Sequence, residues 1–187
     1  MSEANESNDP SRLPGDATPR ASIARMIRVD HAGEFGAKQI YAGQIAVLGH
    51  SVHGDTLRHM KEQEQHHLDT FAGLIAERRV RPTALLPVWR VAGFALGAMT
   101  AALGPRAAMA CTVAVEETID AHYAGQSSAL GEDEPELRET IERFRAEELE
   151  HRDIGLANEA ELAPFYRLLS AAIRTGCKAA IALSEKV

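Results

Sequence analysis

Valine, isoleucine, threonine and the aromatic residues of this chain never settle into clean alternation with polar positions, so strand signals are nearly absent. Long stretches rich in Ala, Leu, Glu, Arg and Gln instead predict helices throughout. Six are expected. The first runs from Ala21 to Gly49 and the second from Gly54 to Arg79. The third covers Ala84 to Leu103. A fourth has Pro105 in its first turn and reaches Leu130. The fifth spans Pro135 to Asn158, and the sixth begins with Pro164 in its first turn and ends near Lys186.

The third segment departs from the amphipathic pattern of the others. Leu85 to Leu103 carries a single charge, Arg90, next to Trp89. Its length approaches a membrane span, but Gly93, Gly97 and several alanines lower its hydrophobicity. Arg79, Arg81 and Arg90 cluster at its start. A cationic, Trp-bearing entry followed by an apolar face reads as a helix lying in the bilayer interface. The competing expectation is an ordinary buried helix.

Composition narrows the class. A chain of 187 residues suits one domain with a real core. Its net charge of −7 speaks against a nucleic-acid partner. Cys111 and Cys177 form no metal-binding spacing and no disulfide framework, and are expected to stay reduced. Residues 1–20 are rich in Ser, Pro, Asn and acidic residues and lack an apolar run, as in a disordered tail. They resemble neither a secretory signal nor a transit peptide, so a bacterial-type cytoplasm is expected. The folded domain is expected over 21–187.

A weak internal duplication carries the chemistry. Glu34 precedes Tyr41-Ala42-Gly43-Gln44, and Glu116 precedes Tyr123-Ala124-Gly125-Gln126, 82 residues later. Downstream of each lies Glu-x-x-His: Glu64 with His67, and Glu148 with His151, 84 residues apart. Two copies of a helical hairpin, 21–79 and 105–158, are implied, with the third helix connecting them. Residues three apart on a helix share a face, so each Glu-His pair can bind one metal. One Glu from each of two helices and Glu-x-x-His from each of the other two is the ligand set of ferritin-like di-iron bundles. The six candidate ligands are Glu34, Glu64, His67, Glu116, Glu148 and His151. Carboxylate and imidazole donors suit iron or manganese. Four glutamates also balance two divalent cations, whereas four unpaired buried carboxylates would have to protonate. The expected fold is therefore all-α: a ferritin-like four-helix bundle with two additional helices, one apolar and membrane-interfacial.

Neighbouring candidates are set aside on geometry. His66 points about 200° around the helix from Glu64, and Glu117 has no counterpart in the repeat. Glu147 and Glu150 are expected to face solvent or to support the ligands from behind. Asp30 and His31 are candidates for supporting the ligands from behind, and Asp69 and Asp153 for a hydrogen bond to a ligand histidine on another helix. Tyr41 and Tyr123 are expected chiefly as core, and His50, His53 and His59 as surface residues near a turn.

The segments Arg28-Val-Asp-His-Ala-Gly-Glu34, Ile40-Tyr-Ala-Gly-Gln44, Cys111-Thr-Val-Ala-Val-Glu-Glu117, Glu147-Glu-Leu-Glu-His151 and Ala160-Glu-Leu-Ala-Pro164 resemble the demethoxyubiquinone hydroxylase family of ubiquinone biosynthesis. The resemblance covers about residues 21–187 and includes Gly176-Cys177 and Leu183-Ser-Glu185. It implies an O2-dependent di-iron monooxygenase with two Fe ions on the same six residues. The substrate would be a polyprenylated methoxy-methyl-benzoquinol, hydroxylated at its vacant ring carbon. NADH is the implied reductant, although no dinucleotide-binding motif is present. A histidine equivalent to His122 lies near the site in the family; on helical geometry it belongs behind the ligands or at the substrate channel. Many relatives carry Tyr where this chain has Ala182, which puts the electron route in question.

An insoluble prenyl tail gives the third helix a purpose: Leu85, Leu86, Val88, Trp89, Val91, Phe94, Leu96 and Met99 would face the membrane and guide the tail. The implied location is peripheral, on the cytoplasmic face of the cell membrane. A second copy of the chain or a lipid-presenting partner is compatible with this reading. Two rivals remain: a rubrerythrin- or ferritin-like iron or peroxide protein, and a non-catalytic prenyl-lipid carrier.

Overall fold

The computed structural model describes residues 17–187, and the expected tail lies mostly outside them. Six α-helices account for the described chain: α1 (Pro19–Leu48), α2 (Gly54–Glu77), α3 (Leu86–Ala102), α4 (Pro105–Leu130), α5 (Pro135–Ala157) and α6 (Tyr166–Ser184). No strand occurs among the described residues. The fold class is all-α.

Local chemistry explains where the helices stop and start. α1 begins two residues earlier than expected because Thr18 and Pro19 form a cap and first turn, with Thr18 Oγ1 accepting from the Ala21 N–H at 3.1 Å. α2 closes with Arg79 in the left-handed region, φ 52°, and the Val80 N–H returning to the Ile75 carbonyl at 3.0 Å. Pro164 was expected inside the first turn of α6, but the helix begins later. Ala163, the residue before this proline, is extended (ψ 141°), and Phe165 then turns left-handed at φ 55° before α6 can start. A single 3-10 turn, Ala160–Leu162, fills the connection.

The hairpins α1–α2 and α4–α5 make the bundle, and the two extra helices repeat a common placement. α3 packs on α1 and α6 packs on α4. The duplication therefore reaches beyond the hairpins to three helices each, whereas the sequence pattern showed α3 only as a connector. Glycines set the closeness of α3. A Cβ at Gly97 would lie 1.9 Å from the Ile40 carbonyl oxygen, and one at Gly43 would lie 2.1 Å from that of Phe94. At Gly125, the matching position of the second copy, nothing lies within 4 Å. The shared glycine thus has a packing cause in one copy only.

Two apolar clusters cap the ends of the bundle interior. Tyr41, Leu57, Met60, Met109 and Val113 fill one, and Ile27, Phe71, Tyr123, Ile141 and Phe144 fill the other. Between them the interior is polar, and there the ligand candidates gather. α3 and α6 meet near their ends at the rim, on either side of a cavity. Trp89 Nε1 donates to Ser184 Oγ at 2.9 Å, and Leu103 shares a surface hollow with Leu162 and Pro164. Among the described residues no helix is long and apolar enough to cross a membrane.

Candidate metal centre

Each hairpin places a glutamate on its first helix and Glu-x-x-His on its second, all pointing inward. Glu34 comes from α1, Glu64 and His67 from α2, Glu116 from α4, and Glu148 and His151 from α5. All six are essentially inaccessible, at 0–1 % exposure. They form two groups, Glu34–Glu64–His67–Glu148 and Glu64–Glu116–Glu148–His151, with donor atoms in each lying within 4.8 Å of one another. Glu64 and Glu148 belong to both, so they lie between the two positions, with Glu34 and Glu116 at the outer ends.

Glu148 spans the halves. Its Oε1 lies 3.2 Å from His67 Nδ1 and its Oε2 lies 3.2 Å from His151 Nδ1. Glu34 Oε2 is 3.4 Å from His67 Nδ1, and Glu64 Oε1 is 3.3 Å from His151 Nδ1. Both imidazoles therefore turn Nδ1 toward the carboxylates. Their other nitrogens cross to the opposite hairpin: His67 Nε2–H donates to Glu147 Oε2 at 2.7 Å, and His151 Nε2–H donates to Gln63 Oε1 at 2.9 Å. Nε2–H is held by these acceptors, so once Nδ1 gives up its own proton its lone pair is available to a ligand.

The tyrosines cross over in the same manner. Tyr41 of the first copy donates to Glu116 Oε1 of the second at 2.7 Å, and Tyr123 of the second donates to Glu34 Oε1 of the first. They are more than core filler, since each fixes an outer carboxylate. Phe144 stacks on the His67 ring at 4.0 Å.

The charge distribution asks for cations. Among the described residues no hydrogen bond reaches Glu34 Oε2, either oxygen of Glu64, or Glu116 Oε2, although all are buried. Leaving buried carboxylates unpaired costs several kcal/mol each, so without a cation protons must take its place. Burial first, then the neighbouring Glu148 carboxylate, pushes Glu64 and Glu116 well above the usual carboxylate range. Burial would also raise Glu148, but bonds from His151 and His67 outweigh it and hold that acid below its usual range. Burial alone would lower His67; the facing carboxylates of Glu148 and Glu34 win and carry it up to about 12. Four carboxylates with two imidazoles match two divalent oxygen- and nitrogen-loving cations. The donor set fits iron.

Other candidates fall elsewhere. His66 is exposed, and Glu117 pairs with Arg174 of α6 at 2.7 Å. Asp69 and Asp153 were candidates for supporting the histidines. Both are exposed and bond instead to Gln65 and Arg152 on their own helices, because two residues past a ligand is the far side of the helix. Glu150 is exposed, whereas Glu147 supports His67. Gln63 belongs to no motif of its own, yet it precedes Glu64 as Glu147 precedes Glu148, so the repeat holds the signal. His50 and His59 are exposed and His53 is half-buried at the α1–α2 turn. The two cysteines are free, and burial raises their thiols to about 12 and 11.

Asp30 is buried and accepts from Gln126 Nε2 at 2.7 Å, with His122 Nε2 at 3.4 Å. Burial lifts its acid to about 6 against the pull of His122 and Gln126. His122 and Gln126 line a hollow open to solvent beside Ser22, Arg25 and Met26. His122 thus backs Asp30 and not the apolar cavity. That cavity, about 440 Å³, lies between α1, α3, α4 and α6. Gly33 and Ala37 flank Glu34 in its wall, Val115 adjoins Glu116, and Trp89, Leu96 and Ile173 line its outer part.

Comparison with known proteins points in one direction. The sequence profile of the family described as Ubiquinone biosynthesis protein COQ7 matches residues 21–184. The 3-demethoxyubiquinol 3-hydroxylase of Rhodospirillum rubrum is 60 % identical over 177 residues, covering 94 % of this chain and 84 % of that protein. The human NADPH-dependent 3-demethoxyubiquinone 3-hydroxylase, mitochondrial, is 54 % identical over 176 residues, covering 92 % and 81 %. The yeast 5-demethoxyubiquinone hydroxylase, mitochondrial, is 42 % identical over 184 residues, covering 89 % and 79 %.

Proposed function

This chain belongs to the COQ7 family of ubiquinone biosynthesis proteins, and we propose from that premise that it hydroxylates the ring of a polyprenylated methoxy-methyl-benzoquinol, using O2 and two iron ions. It is a hydroxylating oxidoreductase of ubiquinone biosynthesis. The observation that carries the finer reading is the pair of ligand groups sharing Glu64 and Glu148, set behind the walls of an apolar cavity. The net reaction places one oxygen atom of O2 in a ring C–H bond and the other in water, consuming two electrons and two protons.

In this reading Glu34, Glu64 and His67 with Glu148 hold one iron, and Glu116 and His151 with the shared Glu64 and Glu148 hold the other. The irons, when bound, supply the O2 reduction that no side chain here can perform. The residues do the rest. Tyr41 and Tyr123 hold the outer oxygens of Glu116 and Glu34, and Gln63 and Glu147 fix both imidazoles. The cavity walls seat the prenyl tail and keep water from the ring. Asp30, with Oδ2 free of hydrogen bonds and an acid raised to about 6, takes up and releases a proton on the Glu34 side, and His122 links it to solvent.

The reductant is a reduced nicotinamide. The name of the human relative specifies NADPH where the resemblance implied NADH, so both belong in the assay. Ala182 is exposed on α6 and leaves no aromatic group there for an electron route. The protein sits peripherally on the cytoplasmic face of the membrane. Val88, Val91, Phe94 and Met99 of α3 and Leu168 and Leu183 of α6 are exposed on the two adjacent helices that enclose the cavity. Such a face suits insertion to the depth of the headgroups.

The test is purified, iron-loaded protein with quinol substrate, nicotinamide and labelled O2. The expected product is heavier by one oxygen, carrying the label. Unlabelled product contradicts oxygen transfer from O2, and peroxide consumption without a quinone product favours the rubrerythrin-like rival. Tight substrate binding without turnover or iron favours the carrier.

A further inference from the structure

The two halves of the centre are nearly equivalent. Each has three carboxylates and one imidazole, shares Glu64 and Glu148, and has an outer glutamate held by a tyrosine of the other copy. One matched position changes the charge behind the two histidines. His67 is backed by the carboxylate of Glu147, whereas His151 is backed by the neutral amide of Gln63, at nearly equal distances of 2.7 and 2.9 Å. Each of these two residues stands immediately before the Glu-x-x-His of its own copy. The duplication thus acts as an internal control in which the partner's charge is the variable.

We infer that Glu147 makes the centre load in order, the His67 half taking its metal first and more tightly than the His151 half. This rests on the reading of the six side chains as ligands of two metal ions. A carboxylate accepting the Nε2–H pushes electron density toward Nδ1 and adds a negative charge close to the cation. An amide oxygen offers only a dipole. Replacing such a supporting partner changes metal affinity by about 10–100-fold, so the two binding steps should differ by about tenfold or more. The Glu147 side chain is 29 % exposed and the substitution Glu147→Gln keeps its size and its acceptor, so the fold has little to lose.

The experiment titrates the metal-free full chain with Co²⁺ without oxygen, following heat and visible absorption. The wild-type chain should bind two equivalents in two resolved steps. Glu147→Gln should weaken the first step about tenfold and bring the steps together. Gln63→Glu should strengthen the second step. His151→Ala should keep the tight step and lose the weak one, and His67→Ala should do the reverse, each checked for helicity by circular dichroism. Equal steps in the wild type, or an unchanged separation in Glu147→Gln, overturn this inference while leaving the two-metal reading intact. No cobalt uptake by any variant overturns that reading itself, and this inference with it.

Discussion

Tyr41 of α1 donates its hydroxyl hydrogen to Glu116 of α4 across the interior, at 2.7 Å. The bond ties one copy of the repeat to a proposed ligand of the other. Burial raises the phenol well above its ordinary range, so it remains a donor at any working pH. Tyr41→Phe should therefore fold normally and weaken metal binding by about 10–100-fold, since it removes a hydrogen bond to a ligand and no packing volume. Calorimetric titration checks this. Unchanged affinity would leave Tyr41 as core alone.

Metal binding should release protons. In the metal-free chain burial and neighbouring carboxylates favour the protonated form of Glu64 and Glu116, and the facing carboxylates favour the charged form of His67 and His151. Cations must displace these protons, so apparent affinity should fall as pH falls. Titrations in buffers of different ionisation heat read the proton count directly. Equal heats in all buffers would contradict the charge argument.

Asp30 should destabilise the metal-free fold at neutral pH. Its folded-state acid is near 6 against an ordinary 3.8, so burial favours the protonated form. That favourable difference is fully present below 3.8 and lost as pH rises through about 6. The full effect is at most about 3 kcal/mol. Asp30→Asn should thus gain stability over wild type at pH 8 and little near pH 4, read as melting temperature.

The repeat offers a matched pair of glycines. Gly43→Ala should destabilise by about 1–3 kcal/mol, because its Cβ would lie 2.1 Å from the Phe94 oxygen and push α3 away. Gly125→Ala meets nothing within 4 Å and should be neutral or stabilising by up to about 1 kcal/mol. Urea unfolding of both variants tests the pair.

Membrane docking should depend on the outer face of α3. Val91 and Phe94 are 69 % and 43 % exposed on the apolar side. Val91→Glu combined with Phe94→Glu should abolish flotation with liposomes while leaving helicity unchanged. Retained flotation would mean that α3 does not carry the contact.

Much of this was legible because the chemistry repeats. Glu34, Glu64, His67 and their counterparts stood out through a common spacing, and Pro105 and Pro135 marked helix starts that the structure keeps. What stayed hidden depends on contacts between copies. Glu147 was left between solvent and support because its partner, His67, is 80 residues away, and Gln63 drew no notice for the same reason. Asp69 and Asp153 looked suitable by proximity in sequence, but helix rotation turns them outward. Pro164 pointed to a helix start, yet the left-handed turn at Phe165 depends on how the connection folds back, which local pattern does not encode.

The most direct measurement is iron per chain in protein reconstituted without oxygen, for the wild type and for Glu148→Ala. The side chain of Glu148 reaches both histidines, so both positions lose a ligand at once. About two irons per wild-type chain are expected, and almost none in a variant that keeps its helical content. Equal iron in both proteins, or none in the wild type, would contradict that expectation.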